Sequence, residues 1–554
     1  MLQRPCFFLL IAVWLAVGPT AAAAQTAPAT CSGPIVVTPA GTVCGVREHV
    51  DGRTVDAFLG IPYAASTAGA NRFRPPIPAA AWTGARDATA FGPVCPQTGH
   101  YVKGLEQSEA CLTVNVWVPE GPGPAAAPVA GALPLAPGES PPRPPRPVLV
   151  FLYGGGFVHG GTAQRLYPGG PALYDGARMA ATQDIVVVTL NYRIGVLGFL
   201  AGAPGVTPDL GLLDQQLALR WVRRSIAAFG GDPERVTLAG ESAGAMSVGL
   251  QLLSMPSSQG LFRSVILESD PFGLPYRSLE QARLSADLFL LRTGCKLTTD
   301  TLACLQRLPV ATILKAQDHS WQGNALASQG LPAFLPWAPV IDGHLVVRQP
   351  LAAALERGIA LPVLLGTNGS EGTLFFAGDK AIGVLGYDVL AKLIVGVGRT
   401  DDLALHYPPS WFGDNTDAVV HAASDGLFVC PTRAVARAAR ASAYLYSFTH
   451  VSSFNLWADV GRCRDHACHG AELPFVFGTA GGAMAFTPAE RRLSDAMMNA
   501  WGAFVRGGVP VAPTASGASS WPAFQASGLR LRLDTPPSLG PPVPAACGFW
   551  AAGR

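Results

Sequence analysis

A serine between glycines stands in Val236-Thr-Leu-Ala-Gly240-Glu241-Ser242-Ala243-Gly244-Ala245, after an apolar run of β type and before a stretch of helical type. In a G-x-S-x-G turn the glycines permit a strand-to-helix reversal too tight for larger side chains, which lifts the serine hydroxyl clear of the backbone. The pattern predicts a nucleophile at Ser242; an ordinary Gly-rich turn is the bland alternative. A lone hydroxyl is a weak nucleophile and needs a base, a group that orients the base, and donors for a developing oxyanion. Upstream, Leu149-Val-Phe-Leu-Tyr153-Gly154-Gly155-Gly156-Phe157 sets three glycines after a second apolar run. Backbone N–H groups in such a loop can converge on a substrate oxygen. Phosphate cradling is the rival use, but neither G-x-G-x-x-G leading into a helix nor G-x-x-x-x-G-K-[ST] is present there.

Elements must hold these groups in place. Apolar runs at Val148 to Tyr153, Ile185 to Leu190 and Val236 to Gly240 are each followed by Gly-containing turns and helical stretches such as Leu212 to Ala228. Buried parallel strands alternating with helices fit this, an α/β arrangement. Val363 to Gly366 and Ala443 to Phe448 read as further strands of the same sheet. From about 32 to 119, short β-type runs broken by Gly and Pro, such as Pro34 to Thr38 and Thr54 to Leu59, predict an antiparallel edge. Residues 120–147, rich in Pro, Ala and Gly, read as a surface insertion. No repeat of roughly 20 to 50 residues points to a solenoid or propeller.

The chain has 554 residues, 49% of them hydrophobic and 14% charged. The charged share is far below the usual value of roughly 25%, which excludes highly charged disorder. With 39 Lys+Arg against 37 Asp+Glu the net charge is +2, so no strong field draws in nucleic acid. Lysine stands only at Lys103, Lys296, Lys315, Lys380 and Lys392, a bias expected of a GC-rich bacterial genome. Residues 1–24 combine a charged start at Arg4, an apolar run from Phe7 to Val17 and the small residues Ala21 to Ala24. This is the pattern of a cleaved signal peptide, and the run is too short for the roughly 20 apolar residues of a membrane anchor. A secreted or periplasmic protein is expected. Removing Cys6 with that segment leaves ten of the eleven cysteines, an even number suited to disulfides. The cluster Cys463-Arg-Asp-His466-Ala-Cys468-His469 has a zinc-like composition, but an oxidising compartment favours a bridge between Cys463 and Cys468.

The chain resembles the type-B carboxylesterases, the α/β-hydrolases that include cholinesterases and many bacterial esterases. The likeness covers nearly everything after the signal peptide. It rests on Phe58-Leu-Gly-Ile-Pro-Tyr-Ala64, Arg72-Phe73, Phe91-Gly-Pro-Val-Cys-Pro-Gln97, Asn191-Tyr-Arg-Ile-Gly-Val-Leu-Gly-Phe199, Gly211-Leu-Leu-Asp-Gln215 and Phe229-Gly-Gly-Asp-Pro233, besides the serine motif. The resemblance implies an α/β-hydrolase fold over 25–554, a large mixed, mostly parallel sheet flanked by helices, with insertions around the active-site gorge. It also implies an acid at Glu371, from Gly366-Thr-Asn-Gly-Ser-Glu371-Gly372, and a base at His469, from His469-Gly-Ala-Glu472-Leu-Pro-Phe-Val-Phe477. The chain order Ser242, Glu371, His469 agrees with an α/β-hydrolase. His466 is the near competitor but lacks the following Glu-Leu; for His159 and His450 a structural role is expected. Gly155, Gly156 and Ala243 are implied as oxyanion donors, and no metal or organic cofactor is called for.

By the same resemblance Cys95 pairs with Cys111, Cys295 with Cys304, and Cys430 with Cys547, which leaves Cys31 for Cys44 and Cys463 for Cys468. Tyr153, Phe157 and Glu241 are expected around the substrate, with Phe334, Leu335 and Trp337 walling an apolar acyl pocket. Arg464, with Arg462, is a candidate reader of a carboxylate on an acidic ester, against the plainer reading of solvated surface arginines. Some positions depart from the family. The Cys95–Cys111 loop offers Tyr101 where cholinesterases carry a Trp that stacks on quaternary ammonium, which argues against choline esters. The usual Asp before the second Cys is Ala110, with Glu109 left to pair with Arg72. Val265-Ile-Leu-Glu-Ser-Asp270 replaces the usual Gln-Ser-Gly. Asn368-Gly-Ser370 forms a glycosylation sequon that is read as a chance match. The function expected is hydrolysis of small-molecule carboxylic esters through an acyl-enzyme; amidase or lactonase chemistry on the same triad is the alternative, and a non-catalytic binding module of this fold the more distant one.

Overall fold

A computed structural model describes residues 31–99, 102–121, 144–327, 334–377, 381–514, 517–542 and 545–551. The signal segment and most of the Pro-rich insertion lie outside the described residues, as does Tyr101. The apolar runs form the centre of an eleven-stranded sheet. In chain order its strands are β1 (Val46–Val50), β2 (Arg53–Pro62), β3 (Thr113–Pro119), β4 (Arg146–Leu152), β5 (Val186–Leu190) and β6 (Gly231–Glu241). They continue with β7 (Ser264–Glu268), β8 (Val363–Asn368), β9 (Ala443–Phe448), β10 (Arg530–Leu533) and β11 (Ser538–Gly540). Across the sheet the order is β11-β10-β9-β8-β7-β6-β4-β5-β3-β2-β1. From β10 to β5 all neighbours are parallel. The edges, β3-β2-β1 on one side and β11 on the other, are antiparallel.

Every residue of β4, β5, β7 and β8 is buried. Their unbroken apolar character follows, because helices cover both faces of a parallel sheet and neither face meets water. The crossover helix expected over Leu212 to Ala228 runs Leu210–Ser225 and tightens into a 3₁₀ turn at Ile226–Phe229. A longer helix, Pro488–Gly507, opens with a capping box between Thr487 and Glu490 and Pro488 in its first turn. It delivers Trp501 to the sheet, where the indole N–H donates to Glu268 at the end of β7 (2.8 Å).

The motifs outside the catalytic sequence also find physical reasons. Arg193 forms a buried two-pronged pair with Asp214 (2.8 and 2.7 Å), tying the Asn191 loop to the Leu210–Ser225 helix. Arg72 forms a second with Glu109 (2.6 and 2.7 Å). Such fork-to-carboxylate geometry is the strong form of a charged hydrogen bond. Disulfides join Cys31–Cys44, Cys95–Cys111, Cys295–Cys304, Cys430–Cys547 and Cys463–Cys468. With both thiols of the last pair oxidised, the zinc alternative loses its sulfur ligands. No helix among the described residues is long and apolar enough to cross a membrane.

Candidate active site

The groups singled out in the sequence gather at the carboxyl ends of the parallel strands, where open α/β sheets bind ligands. Ser242 directly follows β6 and precedes the helix Ala243–Leu253, with φ 55° and ψ −124°. A positive φ at a non-glycine residue is strained and persists only where its surroundings enforce it. Gly240 and Gly244 do that enforcing. A Cβ on Gly244 would collide with the carbonyl oxygen of Leu152, and one on Gly240 would lie 2.5 Å from the backbone of Gly244.

Gly154, Gly155 and Gly156 follow β4 and line the same cavity as Ser242, Ala243 and His469. Gly155 has φ 106°, and a Cβ there would collide with the His159 carbonyl, so only glycine fits. That carbonyl stands opposite the one Gly155 presents to the N–H groups of Val158 and His159 (3.1 and 3.0 Å), which folds the loop back on itself. At Ala243 the helix begins, and the N–H groups of a first helical turn have no intrahelical partner.

His469 is almost fully buried, and its Nδ1 lies 2.6 Å from Glu371 Oε2. The carboxylate facing Nδ1 assigns the proton to that nitrogen and leaves Nε2 as the basic atom. Glu371 is itself held by the backbone N–H of Asn368 (2.6 Å). Asn368 in turn donates its side-chain amide to the Cys468 carbonyl (2.8 Å) and to Glu472. A buried amide so engaged leaves no room for a glycan at the sequon.

Glu241 places Oε1 3.1 Å from His469 Nε2, but the two atoms are not aligned as a hydrogen bond, so the contact is electrostatic. Burial pushes the Glu241 carboxyl up to about 7, against the pull of His469 and with a push from Glu371. Burial alone would lower the His469 pKa; the carboxylates of Glu241 and Glu371 outweigh it and the net shift is upward. Glu268 is raised to about 8 by burial, and Glu472 is raised well above its ordinary value for the same reason. The imidazole is therefore flanked by the buried carboxyls of Glu241 and Glu371, while Glu268 and Glu472 lie close enough to Glu241 to push on its charge. Asp270, the departure after β7, is buried in apolar surroundings and is likewise pushed far up by desolvation.

The cavity holds about 450 Å³. Phe334 and Leu335 line it as expected of an apolar pocket, and Glu241 lines it too. Four other expected contacts are corrected. Tyr153 stacks on Tyr192 (4.5 Å), and each hydroxyl donates to the other's carbonyl, so it braces the start of the Gly154–Gly156 loop. Phe157 is fully buried edge-on against Phe199, and Trp337 against Phe289, because both rings complete apolar packing beneath the wall. Arg464 is exposed and outside the cavity, while Arg462 is spent on Asp414 and Asp417 (3.0 and 2.7 Å). No arginine or lysine lines the cavity among the described residues.

The structure adds wall residues that the sequence reading missed. His159, assigned a structural role, lines the cavity, as do Phe375 and Phe428, whose rings lie 5.0 and 5.3 Å from the His469 ring. Trp457 lines it and donates its indole N–H to the His469 carbonyl (2.7 Å). Only the position of Phe375 shortly after Glu371, and of Trp457 some way before His469, could have pointed to them.

The carboxylesterase family model matches residues 32–386 and 403–550, and the chain belongs to that family. It is a carboxylic ester hydrolase. It is 34% identical over 507 residues to the para-nitrobenzyl esterase of Bacillus subtilis (strain 168), covering 88% of this chain and 92% of the relative. It is 33% identical over 558 residues to the acetylcholinesterase of Bungarus fasciatus, covering 93% and 85%. A solved structure titled PNB esterase superposes with a TM-score of 0.75 at 33% identity, over 92% of this chain and 97% of that one.

Proposed function

We propose that the chain is a secreted serine carboxylesterase that hydrolyses uncharged carboxylic esters through Ser242, His469 and Glu371. The observation that carries the reading is the buried Nδ1–Glu371 pair at 2.6 Å, in the same cavity as a strained, half-buried serine. In this mechanism His469 Nε2 takes the Ser242 proton as Oγ attacks the ester carbonyl. The oxyanion settles against the N–H groups of Gly155, Gly156 and Ala243. The imidazolium, stabilised by Glu371, then protonates the departing alcohol, and a water activated by the same nitrogen releases the acid from Ser242.

The substrate class follows from the wall. Phe334, Leu335, Phe375 and Phe428 offer apolar surface, and the absence of a lining cation among the described residues removes the support for acidic esters. The five disulfides accord with export after cleavage of the segment 1–24, leaving 25–554 as one α/β-hydrolase unit. The test is hydrolysis of nitrophenyl esters from acetyl to long acyl, with purified protein beside Ser242→Ala. Turnover that vanishes in the variant supports the reading, and its chain-length optimum sizes the pocket. Equal rates would refute the triad.

A further inference from the structure

The base sits at the end of the least regular stretch near the site. Between the end of β9 at Phe448 and His469 there is no helix or strand beyond the 3₁₀ turn Gly461–Arg464. A connection of that length is normally mobile, yet a catalytic group must be held to within about 0.5 Å. Two features supply the restraint. The first is the ring closed by Cys463–Cys468, which ends at the residue before the base. The carbonyls of Ala467 and Cys468 accept from the Ser370 N–H (2.9 Å) and the Asn368 amide (2.8 Å), so the ring is stitched to the loop that carries Glu371. The second is Trp457, whose indole N–H holds the His469 carbonyl from the cavity side.

Between them, Val460 accepts from the Cys463 N–H and donates to the Trp457 carbonyl (both 2.9 Å), linking the ring to the tryptophan. Arg462, inside the ring's approach, anchors the whole to Asp414 and Asp417. Entropy of the unfolded chain gives little reason for such a bridge. Its cysteines are 5 residues apart, against 117 for Cys430–Cys547, and the gain from cross-linking shrinks as the closed loop shortens.

We propose that the Cys463–Cys468 ring and Trp457 are positioning residues for the catalytic base, fixing the His469 backbone relative to Glu371 and to the substrate. The proposal rests on His469 being the base. It is tested in the full-length oxidised protein with Cys463→Ser/Cys468→Ser, Trp457→Phe and His469→Ala, measuring kcat and KM for a short nitrophenyl ester across pH, and the melting temperature.

The ring variant is expected to lose about 10- to 100-fold in kcat, the scale of a small misplacement of a reacting group, with KM changed far less. The acid limb of its pH profile should move down as the imidazole loses its grip on the carboxylates that raise it. Trp457→Phe, which keeps the ring and removes only the donor, should show the same change at smaller size. It decides alone if the ring variant does not fold. Wild-type kcat and pH profile in the folded variants, with or without a lower melting temperature, would overturn the proposal. An active His469→Ala would instead overturn the base assignment beneath it.

Discussion

Ser242 and His469, the proposed nucleophile and base, line one cavity but are held by different means. On the nucleophile side the work is done by backbone. Ser242 has a positive φ, Gly240 and Gly244 admit the turn, and Gly155 tolerates a carbonyl where any side chain would clash. On the base side the work is done by side chains and a short disulfide ring, with the His469 imidazole between the buried carboxyls of Glu241 and Glu371 and its carbonyl held by Trp457. The difference teaches where each side is vulnerable. A backbone site fails by steric change at any pH; a charge cluster fails by protonation.

The largest expected effect is on the nucleophile: Ser242→Ala should lower kcat by about 10⁶, the scale seen when a serine nucleophile is removed from another hydrolase. Glu371→Gln should follow, at about 10⁴, because the amide keeps the shape but loses the charge and can favour the wrong tautomer. Gly155→Ala should cost about 10² to 10³ in kcat, as the loss of one oxyanion donor does, with an unchanged pH profile. A shifted profile in that variant would break the contrast between the two sides.

Glu241→Gln should cost far less and show itself mainly in pH. The acidic neighbour raises the His469 pKa, so its removal lets the pKa fall and extends activity to lower pH. Activity requires neutral Nε2, so the acid limb moves down, not up. Arg464→Ala, exposed and outside the cavity, should leave kcat/KM within about twofold, for acidic and neutral esters alike; a selective loss on acidic esters would restore the carboxylate-reading role.

The contrast also explains what the sequence disclosed. Backbone-built features leave composition marks: the glycines around Ser242 and after β4, and the apolar runs that became β4, β5, β6, β8 and β9, are visible in one dimension, whereas β7 is not among the strands expected from the sequence. Arg193 and Asp214 both stand within motifs and pair as the fold brings those motifs together. Long-range packing leaves no such mark. Tyr153, Phe157 and Trp337 are aromatic residues next to the right motifs, yet their rings turn into the core, while Phe428, far from the Ser242, Glu371 and His469 motifs, reaches the cavity. The carboxyl cluster was equally hidden, since Glu268 meets Glu241 only because β7 lies beside β6 in register.

The central claim, an acyl-enzyme on Ser242 formed with His469 as base, is tested most directly by trapping. Oxidised protein is mixed with a slowly deacylating nitrophenyl ester, quenched in acid, and the labelled peptide mapped by mass spectrometry, beside His469→Ala. The account predicts one acyl group per chain, on the peptide containing Ser242, and none at the same time in the variant. An acyl group on another residue, or steady nitrophenol release with no label at Ser242, would contradict it.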